Sequence, residues 1–146
     1  MSAPRGNALA RRYVGVMTPH TPSERRAQLA RAGKEAAAGH LSALGYRVIE
    51  RNLRIGHDEA DLLALTPQGA VAVVEVKARR GRWHPEDRVD ATKRANLVRL
   101  ATALACRAEF RDRLFQFDVV AVSVLPDGEP EVLHWPHAFD AGDGGR

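Results

Sequence analysis

The chain has 146 residues, of which 45% are hydrophobic and 27% charged, enough for one soluble domain with a buried core. No apolar run approaches the roughly 18 residues that a membrane span needs, and Met1-Ser-Ala-Pro-Arg-Gly-Asn7 lacks the apolar stretch of a secretory signal, so a cytoplasmic protein with no membrane partner is expected. Net charge is +4 and the isoelectric point about 9.8, a balance that suits a polyanionic partner such as nucleic acid and equally a solvated arginine-rich face.

In chain order, residues 1–22 mix Pro, Gly, Ser, Thr and Arg without a sustained period and are expected to form a mobile basic arm. Ser23 is placed to cap a long first helix reaching about Leu44, with an apolar stripe of Leu29, Ala36, Ala37, Leu41 and Leu44 and Gly45 as its stop. That helix carries Glu35. Tyr46–Leu53 alternates as a first strand, and Arg54–His57 forms a connector in which His57 is an exposed loop residue. Val71–Lys77 is a short apolar, β-branched run, and with Asp58–Leu65 across Thr66-Pro-Gln-Gly69, where Pro and Gly are placed for a type I turn, it predicts an antiparallel hairpin.

Ala78–Asp87 is a polar loop in which Trp83 and His84 stand among Arg79, Arg80 and Arg82; Trp83 fits either stacking on a base or capping the core. Val89 to about Ala108 reads as a second helix with the stripe Val89, Lys93, Leu97, Leu100 and Leu104, which sets Lys93 on the buried face. Cys106, the only cysteine, lies in this helix as an expected buried free thiol, with no disulfide framework. Leu114–Val124 is a fourth strand in which Asp118 is expected to satisfy a buried partner. Glu131–Trp135 closes the set, and residues 141–146 form a flexible tail. The order α-β-β-β-α-β-β predicts an α/β domain over residues 23–140, a mixed β-sheet flanked by helices.

Register decides whether the hairpin makes a site. A five-residue loop, Thr66 to Ala70, sets Leu65 opposite Val71, Leu63 opposite Val73, Asp61 opposite Glu75 and Glu59 opposite Lys77, so two carboxylates and a lysine share one face. A four-residue loop would turn the carboxylates to opposite faces. Converging carboxylates are hard oxygen ligands suited to Mg²⁺ or Mn²⁺. Such an ion beside a lysine has the parts that phosphodiester hydrolysis requires. The competing structural account is a surface hairpin with a Glu59–Lys77 ion pair.

Asp61 followed after thirteen residues by Glu75-Val76-Lys77 resembles the Asp…Glu-x-Lys pattern of the PD-(D/E)xK, or restriction-endonuclease-like, nuclease superfamily. The wider series Gly33-Lys-Glu35, Gly45-Tyr46, Arg51-Asn-Leu-Arg54, Glu59-Ala-Asp-Leu-Leu63, Val74-Glu-Val-Lys77, Val89-Asp90…Lys93 and Phe117-Asp-Val-Val120 resembles the small bacterial YraN-type family, related to archaeal Holliday-junction resolvases. The resemblance implies a restriction-endonuclease-like fold and a Mg²⁺- or Mn²⁺-dependent endodeoxyribonuclease acting on DNA, branched or single-stranded. It implies Asp61 and Glu75 as metal ligands with the Val76 carbonyl, Lys77 as the catalytic lysine, and Glu35 as the helix-borne carboxylate completing the site. Lys93 would reach back to the site from the second helix, Arg79, Arg80 and Arg82 would grip substrate, and Glu59 would be an accessory acid. It admits a homodimer, which would place two scissions symmetrically. Asp58 and Ala78 depart from the glycine and threonine usual in the family. The alternative function is a non-catalytic nucleic-acid-binding protein on the same fold; a third reading is an interaction module with an ion-paired acidic strand pair.

Overall fold

The computed structural model describes residues 20–84, 88–126 and 128–142. Most of the expected basic arm and tail lie outside this range. Helix α1 spans Pro22–Ala43. Its cap is Thr21 rather than Ser23: the Thr21 hydroxyl accepts from the Glu24 N–H while the Glu24 carboxylate accepts from the Thr21 N–H, a reciprocal capping box with Pro22 in the first turn. The buried face is Gly33, Ala37, Ala38 and Leu41, small residues that let the helix lie close on the sheet. Leu44, expected on that stripe, is exposed just past the helix end.

Five strands follow in a single sheet, in the order β1-β2-β3-β4-β5. They are β1 (Arg47–Ile55), β2 (Asp58–Leu65), β3 (Val71–Arg80), β4 (Phe115–Val124) and β5 (Glu131–Phe139), with helix α2 (Ala91–Ala105) between β3 and β4. Neighbours run antiparallel except β3 and β4, which are parallel; a parallel pair needs a crossover, and α2 supplies it. The mixed sheet flanked by helices and the order α-β-β-β-α-β-β are therefore as the sequence predicts.

The boundaries differ where pairing overrides local signals. β3 continues through Ala78, Arg79 and Arg80 because the parallel ladder with β4, out to Arg80 opposite Val124, satisfies its backbone. β5 runs past Trp135 to Phe139, its register shifting against β4 between Phe117 and Val119. Helix α2 starts at an Asp90 cap and ends before Cys106, which is exposed at the helix terminus rather than buried.

The sheet is covered on both faces, so β3 reads as an almost continuous buried run. One face packs Leu63, Val71, Val73, Phe117 and Phe139 against Leu97, Leu100 and Leu104 of α2. The other packs Leu62, Val74, Val120 and Val122 against Ala37, Ala38 and Leu41 of α1. Truncating a fully buried leucine such as Leu100 to alanine is expected to cost about 2–5 kcal/mol.

Two polar devices reinforce these layers. Asp58 at the start of β2 accepts two 2.8 Å hydrogen bonds from Arg99 of α2. Asp118, fully buried on β4, accepts from Tyr46 Oη at 3.0 Å and Gln116 Nε2 at 2.9 Å, lies 2.8 Å from His134 Nε2, and accepts from the His137 N–H at 3.3 Å. It serves buried partners, as expected. Burial and the adjoining Asp118 carboxylate push the Tyr46 hydroxyl up to about 12. Among the described residues no helix is long and apolar enough to cross a membrane.

Candidate active site at the fork of strands β2 and β3

The loop between β2 and β3 is the five-residue one. Leu65 lies opposite Val71, Leu63 opposite Val73 and Leu62 opposite Val74. The Thr66 N–H donates to Ala70 O, and Gly69, at a φ of +87°, closes the turn by donating to Thr66 O; that left-handed conformation favours glycine.

Beyond Leu62 and Val74 the ladder stops. Asp61 Oδ2 instead accepts the Val76 N–H at 2.7 Å, a side chain taking the place of a strand carbonyl. The two strands fork at this point, and the carboxylates of Asp61 and Glu75 both line the opening, close enough to influence each other's ionisation.

Glu75 has a side chain only 6% exposed and Asp61 one 14% exposed. Two carboxylates that close cannot both ionise cheaply, so they hold one proton between them. Burial, then the hydrogen bond and charge of Asp61, push the Glu75 carboxyl up to about 8, against the pull of Lys93 and Lys77. Burial also raises Asp61, but the hydrogen bonds from Glu75 and the Val76 N–H, together with Lys34, hold it below the usual carboxylate value. Glu75 is the proton carrier of the pair.

Three ammoniums surround the pair. Lys34 Nζ of α1 is 3.3 Å from Asp61 Oδ1 and also donates to Asn52 Oδ1. Lys93 Nζ of α2 is 3.5 Å from Glu75 Oε2 and donates to the Glu59 carbonyl at 2.9 Å; its place on the inward stripe is explained by these two oxygens. Lys77 lines the same cleft, of about 350 Å³, together with Arg26, Leu29, Lys34, Asp61 and Glu75. Its ammonium makes no hydrogen bond or ion pair with another described residue, which leaves it available to a ligand.

Other expected members stand elsewhere. Glu35 points away from the carboxylate pair to Arg51, at 2.6 Å in an exposed contact. Lys34, its neighbour, is what α1 aims at Asp61. Glu59 does not face Lys77, because the hairpin pairing ends before reaching them. It is paired across β1–β2 with Arg54, Nη2 to Oε2 at 3.2 Å. Arg79 lies on β3, half-buried, while Arg80 and Arg82 are exposed at and beyond the strand end. His57 is exposed in the β1–β2 turn.

The sequence motifs include Lys34 only as the middle of Gly33-Lys-Glu35, with no role of its own, and leave Arg26 out. A signal existed in Gly33: a helical glycine followed by lysine marks a close approach to the sheet with a cation beside it.

Among the described residues no group of three or more His, Cys, Asp or Glu side chains is gathered as a metal site. The pair of Asp61 and Glu75 nonetheless suits Mg²⁺ or Mn²⁺, which bind through one or two carboxylates and retain several waters. A cation between them would neutralise both groups.

A mixed-sheet α/β protein carrying a buried carboxylate pair across β2 and β3, with Lys77 two residues beyond Glu75 on the central strand, is thus the class that fold and site define. Comparison with known proteins is consistent with this. The model of the family described as "Uncharacterised protein family UPF0102" matches residues 33–122, which spans Lys34, Asp61, Glu75, Lys77 and Lys93. Similar proteins include a UPF0102 protein of Symbiobacterium thermophilum, 42% identical over 75% of this chain and 94% of its own length. Others are UPF0102 proteins of Anaeromyxobacter dehalogenans, 40% identical over 82% of this chain and 88% of the relative, and Trichlorobacter lovleyi, 36% identical over 74% and 87%. The chain belongs to the UPF0102 family, the YraN-like group.

Proposed function

We propose that this protein is a divalent-metal-dependent endonuclease of the PD-(D/E)xK type that hydrolyses DNA phosphodiesters. The observation that carries the reading is the meeting of Asp61 and Glu75 at the strand fork with Lys77 in the same basic cleft. Asp61, Glu75 and the Val76 carbonyl would hold Mg²⁺ or Mn²⁺. When bound, the ion polarises a phosphoryl oxygen and lowers the pKa of a coordinated water.

The protein's own groups supply the rest. The Val76 N–H fixes one oxygen of Asp61, so that the carboxylate presents its other oxygen in a set direction. Lys77, as an ammonium, orients the attacking water by donating to it or offsets charge accumulating on the phosphorus. Arg26 and Lys34 on α1, with Arg80 at the end of β3 and Arg82 beyond it, grip the flanking phosphates. Glu35 enters as a third carboxylate by leaving Arg51, a surface pair whose loss costs little.

A second reading, a non-catalytic nucleic-acid-binding protein, is favoured by one observation: Lys34 and Lys93 already neutralise the two carboxylates. Incubation with single-stranded, duplex, flap and four-way-junction DNA in Mg²⁺, Mn²⁺ or EDTA separates the two. Metal-dependent scission lost in both Glu75→Ala and Lys77→Ala supports the nuclease. Binding without scission, unaffected by either substitution, supports the binder and refutes the nuclease for those substrates.

A further inference from the structure

A second cleft lies on the α2 side of the sheet, about 500 Å³ in volume and lined by Trp83, Arg88, Val89, Arg94, Trp135 and Phe139. That volume is in the range of about 300–1,000 Å³ typical of small-molecule sites. Its walls are apolar and its rim is cationic. The Trp83 and Trp135 rings are 5.7 Å apart and tilted by 43°, and Trp135 remains 39% exposed. Neither indole is used up by the core.

The cleft adjoins the carboxylate pair. Val119, which also lines it, is directly paired with Glu75 across the parallel β3–β4 ladder, and adjacent strands are about 4.8 Å apart. Trp135 is paired with Val119 on the far side. From α2, Lys93 reaches Glu75 while the next residue, Arg94, lines the cleft. The Arg94 Nε–H is buried and has no hydrogen-bond partner among the described residues, a donor awaiting an acceptor.

We infer that this cleft takes an unpaired nucleobase and its phosphate from the strand being cut, the base against Trp83 and Trp135 and the phosphate against Arg88 and Arg94. The inference rests on the nuclease reading for its link to cutting and gives that reading a substrate class, DNA with unpaired nucleotides beside the scissile bond. Aromatic faces accept any base by stacking, and paired guanidiniums are the usual partners of phosphate. A wholly apolar partner would bury both arginines without a counter-charge. A base held in a duplex cannot enter unless it leaves the stack.

The chain has two tryptophans, Trp83 and Trp135, so its indole fluorescence reports on this cleft alone. The full protein is titrated in EDTA with oligothymidylate and with an abasic phosphodiester chain of equal length and charge. The expected result is quenching by oligothymidylate and little by the abasic chain. Trp135→Ala should weaken oligothymidylate binding on the order of tenfold while leaving affinity for the abasic chain unchanged, and Trp135→Phe should restore most of the loss. Equal quenching by both chains, or an oligothymidylate affinity indifferent to Trp135→Ala in a variant that melts like the parent, overturns the inference. Because EDTA removes scission from the measurement, the two ideas fail separately. Metal-dependent cleavage without base-dependent quenching would leave the nuclease and remove the cleft, and the reverse would leave a base-binding protein.

Discussion

The packing of α1 on β3 can be tested at a single methyl group. A Cβ built on Gly33 would lie 2.5 Å from the Ala78 Cβ, well inside the contact distance of about 3.5–4.0 Å for carbon atoms. Neither partner can yield easily, since one sits on helix backbone and the other on a strand paired to β4. Gly33→Ala should gain about 1 kcal/mol in helix propensity and lose about 1–3 kcal/mol to overpacking. The clash is severe enough that a net loss of about 1–2 kcal/mol is expected. In urea, with a slope near 2 kcal/mol per molar, the midpoint should fall by about 0.5–1 M.

Ala78→Gly removes the opposing methyl. In the double variant the clash disappears, and the cycle should show a favourable coupling of about 1–3 kcal/mol. Lys34, the next residue on the helix, should lose its approach to Asp61 in Gly33→Ala and regain it in the double variant. A Gly33→Ala protein more stable than the parent, with no coupling to Ala78→Gly, would refute the close packing and with it the placing of Lys34.

Other expectations follow from the polar groups. Replacing Asp118 by alanine orphans Tyr46, Gln116 and His134, costing on the order of 3 kcal/mol and lowering Tm by about 10 °C, measurable by calorimetry. Glu75→Gln mimics the protonated carboxyl and should leave metal-free stability at neutral pH nearly unchanged while abolishing Mn²⁺ binding; a large loss of stability would contradict the shared proton. Since Glu75 carries that proton up to about pH 8, Mn²⁺ binding at pH 7 should release close to one proton and tighten as pH rises towards 8; calorimetry in buffers of different ionisation enthalpy reads this, and a pH-independent affinity would count against it. Arg99 holds the Asp58 carboxyl below its ordinary 3.8, so the pair stabilises the fold above that pH and is lost as pH falls through the lower folded value. The stability gap between parent and Asp58→Asn should therefore narrow in acid. Glu35→Ala should slow cleavage by one to two orders of magnitude without shifting Tm, if Glu35 joins the site as proposed.

How much of this could be read beforehand follows from which interactions are local. The hairpin itself was legible, but its register stayed open between a five- and a four-residue loop, because a strand buried on both faces has no alternation to choose by. The pairing of Leu65 with Val71 settles it. The end of that register was not legible either, since it depends on the Asp61 carboxylate reaching a backbone N–H fifteen residues away. The expected Glu59–Lys77 pair assumed the ladder continued. The Thr21 cap could have been read from Thr21-Pro-Ser-Glu24, a local motif, whereas the extension of β3 to Arg80 required knowing that β4 would lie beside it. The inward lysine at 93 was visible as an anomaly on an apolar stripe, and only its targets, Glu75 and the Glu59 carbonyl, had to come from the fold. Trp135 read as the last residue of a short strand, and its meeting with Trp83 arises from the sheet carrying β5 beside β4.

The hydrogen bond from the Val76 N–H to Asp61 gives that aspartate two employments with different chemical requirements. Holding the fork open asks only for a side-chain oxygen of the right reach, which asparagine also supplies; metal binding asks for negative charge. For the sake of the sheet alone, Asp or Asn at position 61 suffices. Glu75 takes no backbone N–H among the described hydrogen bonds; its contacts are with Lys93 and Asp61, and its burial is a cost that the proposed metal site would offset. Under the proposed function, position 75 is therefore a sounder marker of activity than position 61.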